Sequence, residues 1–185
     1  KLFSLDDKVI KYFPEFGING KENITIKNLL LHNAGLPAWK KFYGRNLKYD
    51  DVIKEIYSSE LEYITGEKTI YSDLGIITLG KVIEKVTNKS LDKFCEDEIF
   101  KPLEMNTTFY NPMNPLKEIC APTETDNYWR MKTLQGEVHD ETSAMLNGVA
   151  GHAGLFSTAE DIAKLMSVLM NRGSYNNIQF IKQST

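Results

Sequence analysis

A run of fifteen residues with helical periodicity, residues 73–87, most constrains what this chain can fold into. Its apolar side chains recur at spacings of three and four, the pattern of a helix packed along one side; they are Ile76, Leu79, Val82, Ile83 and Val86. Tyr71 and Asp73 stand on the turn that leads into this helix. We expect Asp73 to be the N-cap, because a carboxylate at that position accepts hydrogen bonds from unpaired backbone N–H groups. The turn at Tyr71–Asp73 is therefore the first candidate for a catalytic site.

Tyr71 has two interpretations. A phenol fixed at the start of a rigid helix can transfer protons if nearby positive charge lowers its pKa from about 10. The alternative is a core tyrosine with a bonded hydroxyl in front of an ordinary capped helix. The flanking sequence has to decide between them.

Composition excludes several classes of function. With 185 residues, 42% hydrophobic and 25% charged, the chain is typical of one globular domain over residues 1–185. A net charge of −3 without a basic block argues against a nucleic-acid partner. No apolar run approaches the roughly 20 residues of a membrane span. Two cysteines, Cys95 and Cys120, are too few for a disulfide framework or a cysteine zinc site. We therefore expect no cofactor and no bound metal.

The remaining pattern predicts an α+β domain that is predominantly helical. Capping residues and apolar periodicity predict helices over 5–13, 26–32, 51–59, 91–100 and 141–146, and one between the capping box Ser157–Glu160 and Arg172. Expected caps for three of them are Thr25, Asp50 and Ser90. A strand is predicted at 107–110 and two extended pieces at 128–133 and 135–139.

Three glycines punctuate the segment that precedes the last helix. Gly148, Gly151 and Gly154 recur at a spacing of three. Such spacing suits a backbone packed closely against a neighbouring element or a ligand.

Four blocks together resemble one known family, the serine β-lactamase-like hydrolases, which include class C β-lactamases, D-alanyl peptidases, penicillin-binding proteins and related esterases. Residues 24–37 resemble the family's helix followed by His-x-x-Gly-Leu, and Tyr71-Ser72-Asp73 is similar to its Tyr-x-Asn element. Pro102–Met105 resembles a Pro-Leu-Gly-Met turn, and Gly154–Asp161 resembles a Gly-Leu-x-Ser-Thr segment that opens a later helix. The blocks follow one another in the family's order.

The resemblance implies both a fold and a chemistry. The fold would be the helical lobe of the β-lactamase/transpeptidase-like fold, with most of the central antiparallel sheet outside this chain. The chemistry would be acyl-enzyme formation on a small-molecule amide, ester or β-lactam. There a serine of a Ser-x-x-Lys motif attacks a carbonyl while a lysine and a tyrosine exchange its proton. The family also favours a place in the cell envelope, although the sequence itself leaves the compartment open.

The same resemblance implies the site residues. Tyr71 and Asp73 are the expected catalytic residues; Ser72 and the run His152-Ala153-Gly154 are the expected substrate-binding residues. Asp73 departs from the pattern, because the family has an amide there. A carboxylate favours the charged form of a neighbouring lysine and repels an anionic substrate, so we expect an ester, or an amide without that charge.

The nucleophile is not evident in this chain. Ser90-Leu91-Asp92-Lys93 matches Ser-x-x-Lys formally but follows the tyrosine, whereas the family places the motif before it. We therefore expect the true motif upstream of Lys1 and the chain alone to be inert. His152-Ala153-Gly154 also matches a variant of the family's third motif, but a capped helix follows it, so a wall of the cleft is the preferred interpretation.

Two other classes of function stay open. One is a non-catalytic binding or scaffold protein of the same fold. The other is a metal-dependent hydrolase. Its candidate ligands do not have the sequence spacing of a known metal-binding motif; they are His32, His139, Asp140, Glu141 and His152. We expect His32 to be structural instead. Finally, an apolar face left uncovered in an interior piece of a longer protein predicts a dimer.

Overall fold

The computed structural model describes residues 2–184, and in that range it has seven α-helices and three two-stranded antiparallel ribbons. The helices are α1 Ile26–Leu30, α2 Tyr49–Tyr57, α3 Asp73–Thr87, α4 Leu91–Cys95, α5 Leu116–Ile119, α6 Glu141–Met145 and α7 Ala159–Met170. The strands are β1 Phe109–Tyr110, β2 Pro122–Asp126, β3 Lys132–Gln135, β4 Leu155–Phe156, β5 Ser174–Tyr175 and β6 Ile178–Gln179. The predicted class, α+β and predominantly helical, is confirmed.

The three ribbons differ in what they connect. Strands β2 and β3 form one hairpin, and β5 and β6 form another. Strands β1 and β4 join segments that are distant in sequence, with Phe109 opposite Phe156 and Tyr110 opposite Leu155. This short pairing fixes the glycine-rich segment 148–154 relative to the middle of the chain.

Helix α3 lies at the centre, and its predicted range, 73–87, is confirmed. The predicted apolar stripe is largely misplaced: only Val82 of it is buried, whereas Ile76, Leu79, Ile83 and Val86 are half-buried. The buried residues of the helix are Leu74, Gly75, Ile77, Thr78, Gly80 and Val82. Two glycines among them allow neighbouring segments to approach closely. A Cβ atom at Gly75 would lie 3.8 Å from Leu29 of α1, and one at Gly80 would lie 3.5 Å from the backbone nitrogen of Gly151. The helix is therefore enclosed by α1 on one side and by the glycine segment on another.

Most buried apolar side chains belong to one core around α3, and a second, smaller core lies near α7. The first includes Val9, Phe16, Ile24, Ile26, Leu29, Leu36, Phe42, Val52, Ile56, Leu74, Ile77, Val82 and Leu146. The second consists of Phe100, Leu103, Met105 and Val168. The candidate site lies at the amino end of α3, which the first core supports.

The predicted helix over residues 5–13 is wrong. The chain forms only 3₁₀ turns at Val9–Lys11 and Pro14–Gly17. The reason is that its backbone pairs with residues 24–27 instead of with itself. Val9 donates to the carbonyl of Ile24, and the carbonyls of residues 5 and 7 accept from the N–H groups of residues 27 and 26.

The extended pieces predicted at 128–133 and 135–139 are misplaced, since the strands are 122–126 and 132–135. The buried carboxylate of Asp126 accepts from the N–H groups of Tyr128 and Trp129 and from Arg130 Nε, at 3.2, 2.9 and 2.8 Å. These bonds bend residues 127–130 into the turn of a hairpin.

Several helix ends also differ from prediction. Helix α2 begins after Lys48 instead of Asp50, and the carboxylate of Asp51 accepts from the N–H of Lys48 at 3.0 Å. The predicted helix 91–100 is α-helical only to Cys95 and continues as a π-helical turn, Glu96–Phe100. Helix α1 is capped by Thr25 as predicted but ends at Leu30 instead of residue 32, and α6 occupies Glu141–Met145, one residue less than predicted.

Helix α7 is capped by Thr158, whose side chain accepts from the N–H of Asp161, one residue later than predicted. The predicted capping box is wrong, because the carboxylate of Asp161 accepts from Thr107 instead of returning a bond to the cap. The helix leaves apolar side chains in solvent; Ile162, Met166, Leu169 and Met170 are all exposed. A dimer through such a face stays a prediction. None of the helices described here has the length and apolar character that crossing a membrane requires.

Candidate functional site

The turn before α3 is fixed by hydrogen bonds to the segment that follows α1. The N–H of Ile70 donates to the carbonyl of His32 at 2.9 Å, and the N–H of Asp73 donates to the carbonyl of Ala38 at 2.8 Å. The N–H of Ser72 donates to Nδ1 of His32 at 3.1 Å. His32 is thus structural, as predicted, and it acts on a loop 40 residues away in sequence.

Ser72, not Asp73, is the N-cap of α3, which corrects the predicted cap. Its hydroxyl accepts from the N–H of Gly75 at 3.2 Å and donates to the carbonyl of Pro37 at 2.6 Å. The side chain is buried, with both hydrogen-bonding roles used inside the protein. Ser72 was expected to bind substrate, and that role stays a prediction.

Tyr71 is 59% exposed, so it is not the core tyrosine of the alternative interpretation. Its ring lies against that of His32, with centroids 4.7 Å apart. Partial burial raises the pKa of Tyr71 above its ordinary value of 10.0, and the negative charges of Asp73 and Asp140 add to that shift. The described residues therefore keep the phenol protonated at neutral pH, and only a cation from elsewhere would lower its pKa.

Asp73 is free of the capping role and stands in the first turn of α3. One carboxylate oxygen of Asp73, one of Asp140 and one ring nitrogen of His152 all lie within 4.8 Å of one another. Burial raises the pKa of Asp73, and Asp140 raises it further. The substitution that departs from the family pattern thus gives this site an additional carboxylate.

Asp140 and His152 form a hydrogen-bonded pair. Nε2 of His152 lies 2.8 Å from Oδ1 of Asp140, and the same oxygen accepts from the N–H of Ser143 at 2.6 Å as the cap of α6. Although burial raises the pKa of Asp140, the bonds from His152 and Ser143 outweigh it and hold the pKa below its usual range. The side chain of His152 is only 2% exposed.

The glycine segment packs directly on α3, as its spacing predicted. A Cβ atom at Gly151 would come within 2.6 Å of the carbonyl oxygen of Ile76. Gly154 has φ +118° and lies against the carbonyl of Gly148, where a side chain would collide. The carbonyl of Ala153 accepts from the hydroxyl of Ser143 at 3.0 Å. His152, Ala153 and Gly154 are thus held as a bend beside the amino half of α3.

The other sequence candidates have local partners. Nζ of Lys93, from the formal Ser-x-x-Lys match, lies 2.6 Å from Glu96. Nε2 of His139 lies 2.6 Å from Glu124, and Glu141 bonds the hydroxyl of Tyr128. Of the five residues considered for a metal, only Asp140 and His152 come together with Asp73. The sequence did not indicate that grouping, because its members lie on three separate segments.

Comparisons with known proteins agree on one family. The family model described as Beta-lactamase matches residues 1–185. An N-acetylmuramyl-L-alanine amidase of Bacillus subtilis is 40% identical over 205 residues, which cover 97% of this chain and 46% of that protein.

Solved structures give the same result for the fold. The Beta-Lactamase/D-Alanine Carboxypeptidase of Pseudomonas syringae has a TM-score of 0.75 at 17% identity, over 99% of this chain and 48% of that one. FmtA of Staphylococcus aureus has a TM-score of 0.73 at 27% identity, over 92% of this chain and 46% of that one. The chain thus spans about half the length of the relatives that it matches.

Proposed function

Because the chain belongs to the β-lactamase family, we propose that the whole protein is a serine hydrolase that works through an acyl-enzyme. The observation that carries the proposal is the placement of Tyr71. Its phenol is exposed just before α3, a helix with a largely buried face. Hydrogen bonds from residues 70–73 to the segment 32–38 fix the turn that carries it. Such fixed positioning is what a proton-transfer group requires.

In this proposal the nucleophilic serine and its lysine come from a part of the protein that this chain does not span. The lysine's positive charge would lower the pKa of Tyr71, which the described residues alone raise. The phenol could then take the proton of the attacking serine and return it to the leaving group. Asp73 would hold the lysine in its charged form, Ser72 would support the turn, and His152-Ala153-Gly154 would form a wall of the cleft.

The substrate we propose is an amide or ester without a negative charge next to Asp73. Asp73 and Asp140 bring two carboxylates to this place, and a substrate carboxylate would be repelled there. The name of the Bacillus subtilis relative, an amidase, supports amide chemistry. A β-lactam remains within the same reaction class, but its carboxylate disfavours it.

Labelling of the full-length protein tests the reaction class. A fluorophosphonate and a fluorescent penicillin should be compared, and we expect covalent labelling by the fluorophosphonate. Tyr71→Phe keeps the ring on His32 but removes the hydroxyl, and should slow labelling by about 10²–10⁴-fold. Tyr43→Phe is the matched control, since Tyr43 is a half-buried tyrosine outside this turn.

Each outcome decides between the proposals. If neither probe labels the full-length protein, the scaffold interpretation replaces the hydrolase. If Tyr71→Phe labels as fast as the unaltered protein, the role of Tyr71 is wrong. Asp73→Asn should shift preference toward substrates with a carboxylate, and an unchanged preference would refute the role of Asp73 in selection.

A further inference from the structure

The Tyr71 turn depends on one residue outside it, His32, which contacts three consecutive residues of the turn. The carbonyl of His32 accepts from the N–H of Ile70 at 2.9 Å, and its Nδ1 accepts from the N–H of Ser72 at 3.1 Å. Its ring lies 4.7 Å from the ring of Tyr71, centroid to centroid. We infer that His32 is a positioning residue, whose Nδ1 holds the phenol of Tyr71 in its reactive orientation. The inference rests on the function proposed above and adds the residue that places the proton-transfer group.

The two hydrogen bonds hold the backbone on both sides of Tyr71. Ile70 and Ser72 are its neighbours in sequence, and each donates its N–H to His32. The phenol itself is largely exposed, so its direction depends on where this backbone points the Cα–Cβ bond of Tyr71. A displacement of the reacting group by about 1 Å can cost about 100-fold in rate. Loss of one of these bonds is therefore expected to slow the reaction more than it weakens substrate binding.

The backbone of His32 gives a second reason for a specific role of its side chain. His32 directly follows Leu31, the C-cap of α1, and has a φ of +52°. Glycine or asparagine is the usual residue at such a helix end, because both adopt a positive φ readily. Residues other than glycine that are held at a positive φ occur where the surrounding structure fixes them, often at functional sites. The bond to Ser72 explains why a histidine occupies this position.

His32 is also held from the side opposite the turn. The hydroxyl of Tyr63 donates to the carbonyl of His32 at 3.1 Å. The N–H of Gly66 donates to the carbonyl of Asn33, the next residue, at 2.8 Å. The loop 62–66 thus fixes the segment that carries the imidazole, and Nδ1 is a rigid acceptor for the turn.

The alternative is that His32 only stabilises the fold, and two substitutions separate the alternatives. Oδ1 of asparagine and Nδ1 of histidine are both bonded to Cγ, so His32→Asn keeps an acceptor at nearly the same place. His32→Gly removes the acceptor. Neither variant strains the backbone, because both new residues tolerate a positive φ. A residue that only stabilises the fold changes how much protein is folded, whereas a positioning residue changes the rate of the folded protein.

The test is the rate of fluorophosphonate labelling of the full-length protein at increasing probe concentration, which separates the maximal rate from the half-saturating concentration. His32→Gly should lower the maximal rate by about 10–100-fold and leave the half-saturating concentration unchanged. His32→Asn should keep most of the rate. The matched control is Asn88→Gly, at an exposed residue with φ +54° at the other end of α3. It should label as fast as the unaltered protein.

Two kinetic results would overturn the inference. If His32→Asn is as slow as His32→Gly, the acceptor is not what places Tyr71. If His32→Gly changes the half-saturating concentration and not the maximal rate, the residue affects binding instead. Circular dichroism shows whether each variant is folded.

Amide hydrogen exchange is a second measurement that needs neither activity nor a folded variant. The N–H of Ser72 should exchange slowly in the unaltered protein, because it is bonded to Nδ1 of His32. Rapid exchange there would overturn the inference even if His32→Gly does not fold. If the fluorophosphonate does not label the unaltered protein, the hydrolase is wrong, whereas slow exchange at Ser72 would still support the placement of the turn by His32.

Discussion

The Tyr71 turn and the Asp140–His152 region meet at the candidate site, but they are held there in different ways. The turn is fixed mainly by backbone groups, with Ile70, Ser72 and Asp73 each donating an N–H to the segment 32–38. The other region depends on side-chain bonds and on glycines that let its backbone touch α3. The Tyr71 turn, the first wall of the site, is therefore built by backbone hydrogen bonds, and the Asp140–His152 region, the second wall, by side-chain bonds and close packing on α3.

The strongest test of the first wall is Leu74→Ala. Leu74 is 1% exposed and directly follows Asp73. Removing a buried leucine side chain costs about 2–5 kcal/mol, measured as the free energy of unfolding in urea. Leu155→Ala, at a residue 44% exposed, should cost far less. An equal loss would show that the core does not support the turn.

The corresponding test of the second wall is Gly151→Ala. The new methyl group would lie 2.6 Å from the carbonyl oxygen of Ile76, and such overpacking costs about 1–3 kcal/mol. Gly75→Ala, on the helix that Gly151 packs against, is the control, because the nearest neighbours of Gly75 are 3.8 Å away. It should be neutral or stabilising by up to about 1 kcal/mol. Equal unfolding free energies for the two variants would contradict the close packing.

Two serines at helix N-caps, Ser72 of α3 and Ser90 of α4, can be compared for their effect on stability. Ser72→Ala removes a hydroxyl that accepts from Gly75 and should destabilise by about 0.5–2 kcal/mol. Ser90 occupies the corresponding position of α4 without a side-chain capping bond, so Ser90→Ala should change stability little. Thermal denaturation of both variants measures the difference, and a larger loss for Ser90→Ala would show that the cap of α3 is misassigned.

The smallest expected effects are changes in Tm with pH, and they have opposite signs for the carboxylates of Asp140 and Asp73. The pKa of Asp140 is lowered on folding, so its stabilisation is present above the unfolded pKa, near 3.8, and is lost as the pH falls through the folded value. The pKa of Asp73 is raised, so its contribution is present below 3.8 and is lost as the pH rises through the folded value. At pH 7 Asp140→Asn should lower the Tm and Asp73→Asn should raise it.

Both differences should shrink as the pH is taken toward 3, which thermal scans from pH 3 to 7 would show. Shifts of the same sign for the two variants at pH 7 would contradict the opposite environments assigned to these carboxylates.

Sequence periodicity predicted the bounds of α3, because a long apolar repeat is a local signal. The spacing of Gly148, Gly151 and Gly154 predicted close backbone packing, because the absence of side chains is also visible in the local sequence. The segment 5–13 was misjudged since its backbone partners, residues 24–27, lie elsewhere in the chain. The cap of α3 was misjudged by one residue, because serine and aspartate are both good caps. The meeting of Asp73, Asp140 and His152 could not be predicted, because no periodicity relates three separate segments.

The bond between Ser72 and His32 fixes a chemical property of the imidazole. A ring nitrogen that accepts a backbone N–H must carry a lone pair, so in the neutral ring the proton resides on Nε2. The backbone of one loop thereby selects the tautomer of a histidine in another. Any group that approaches the ring from its Nε2 edge meets a donor, and full protonation of the ring would remove the bond that anchors Ser72.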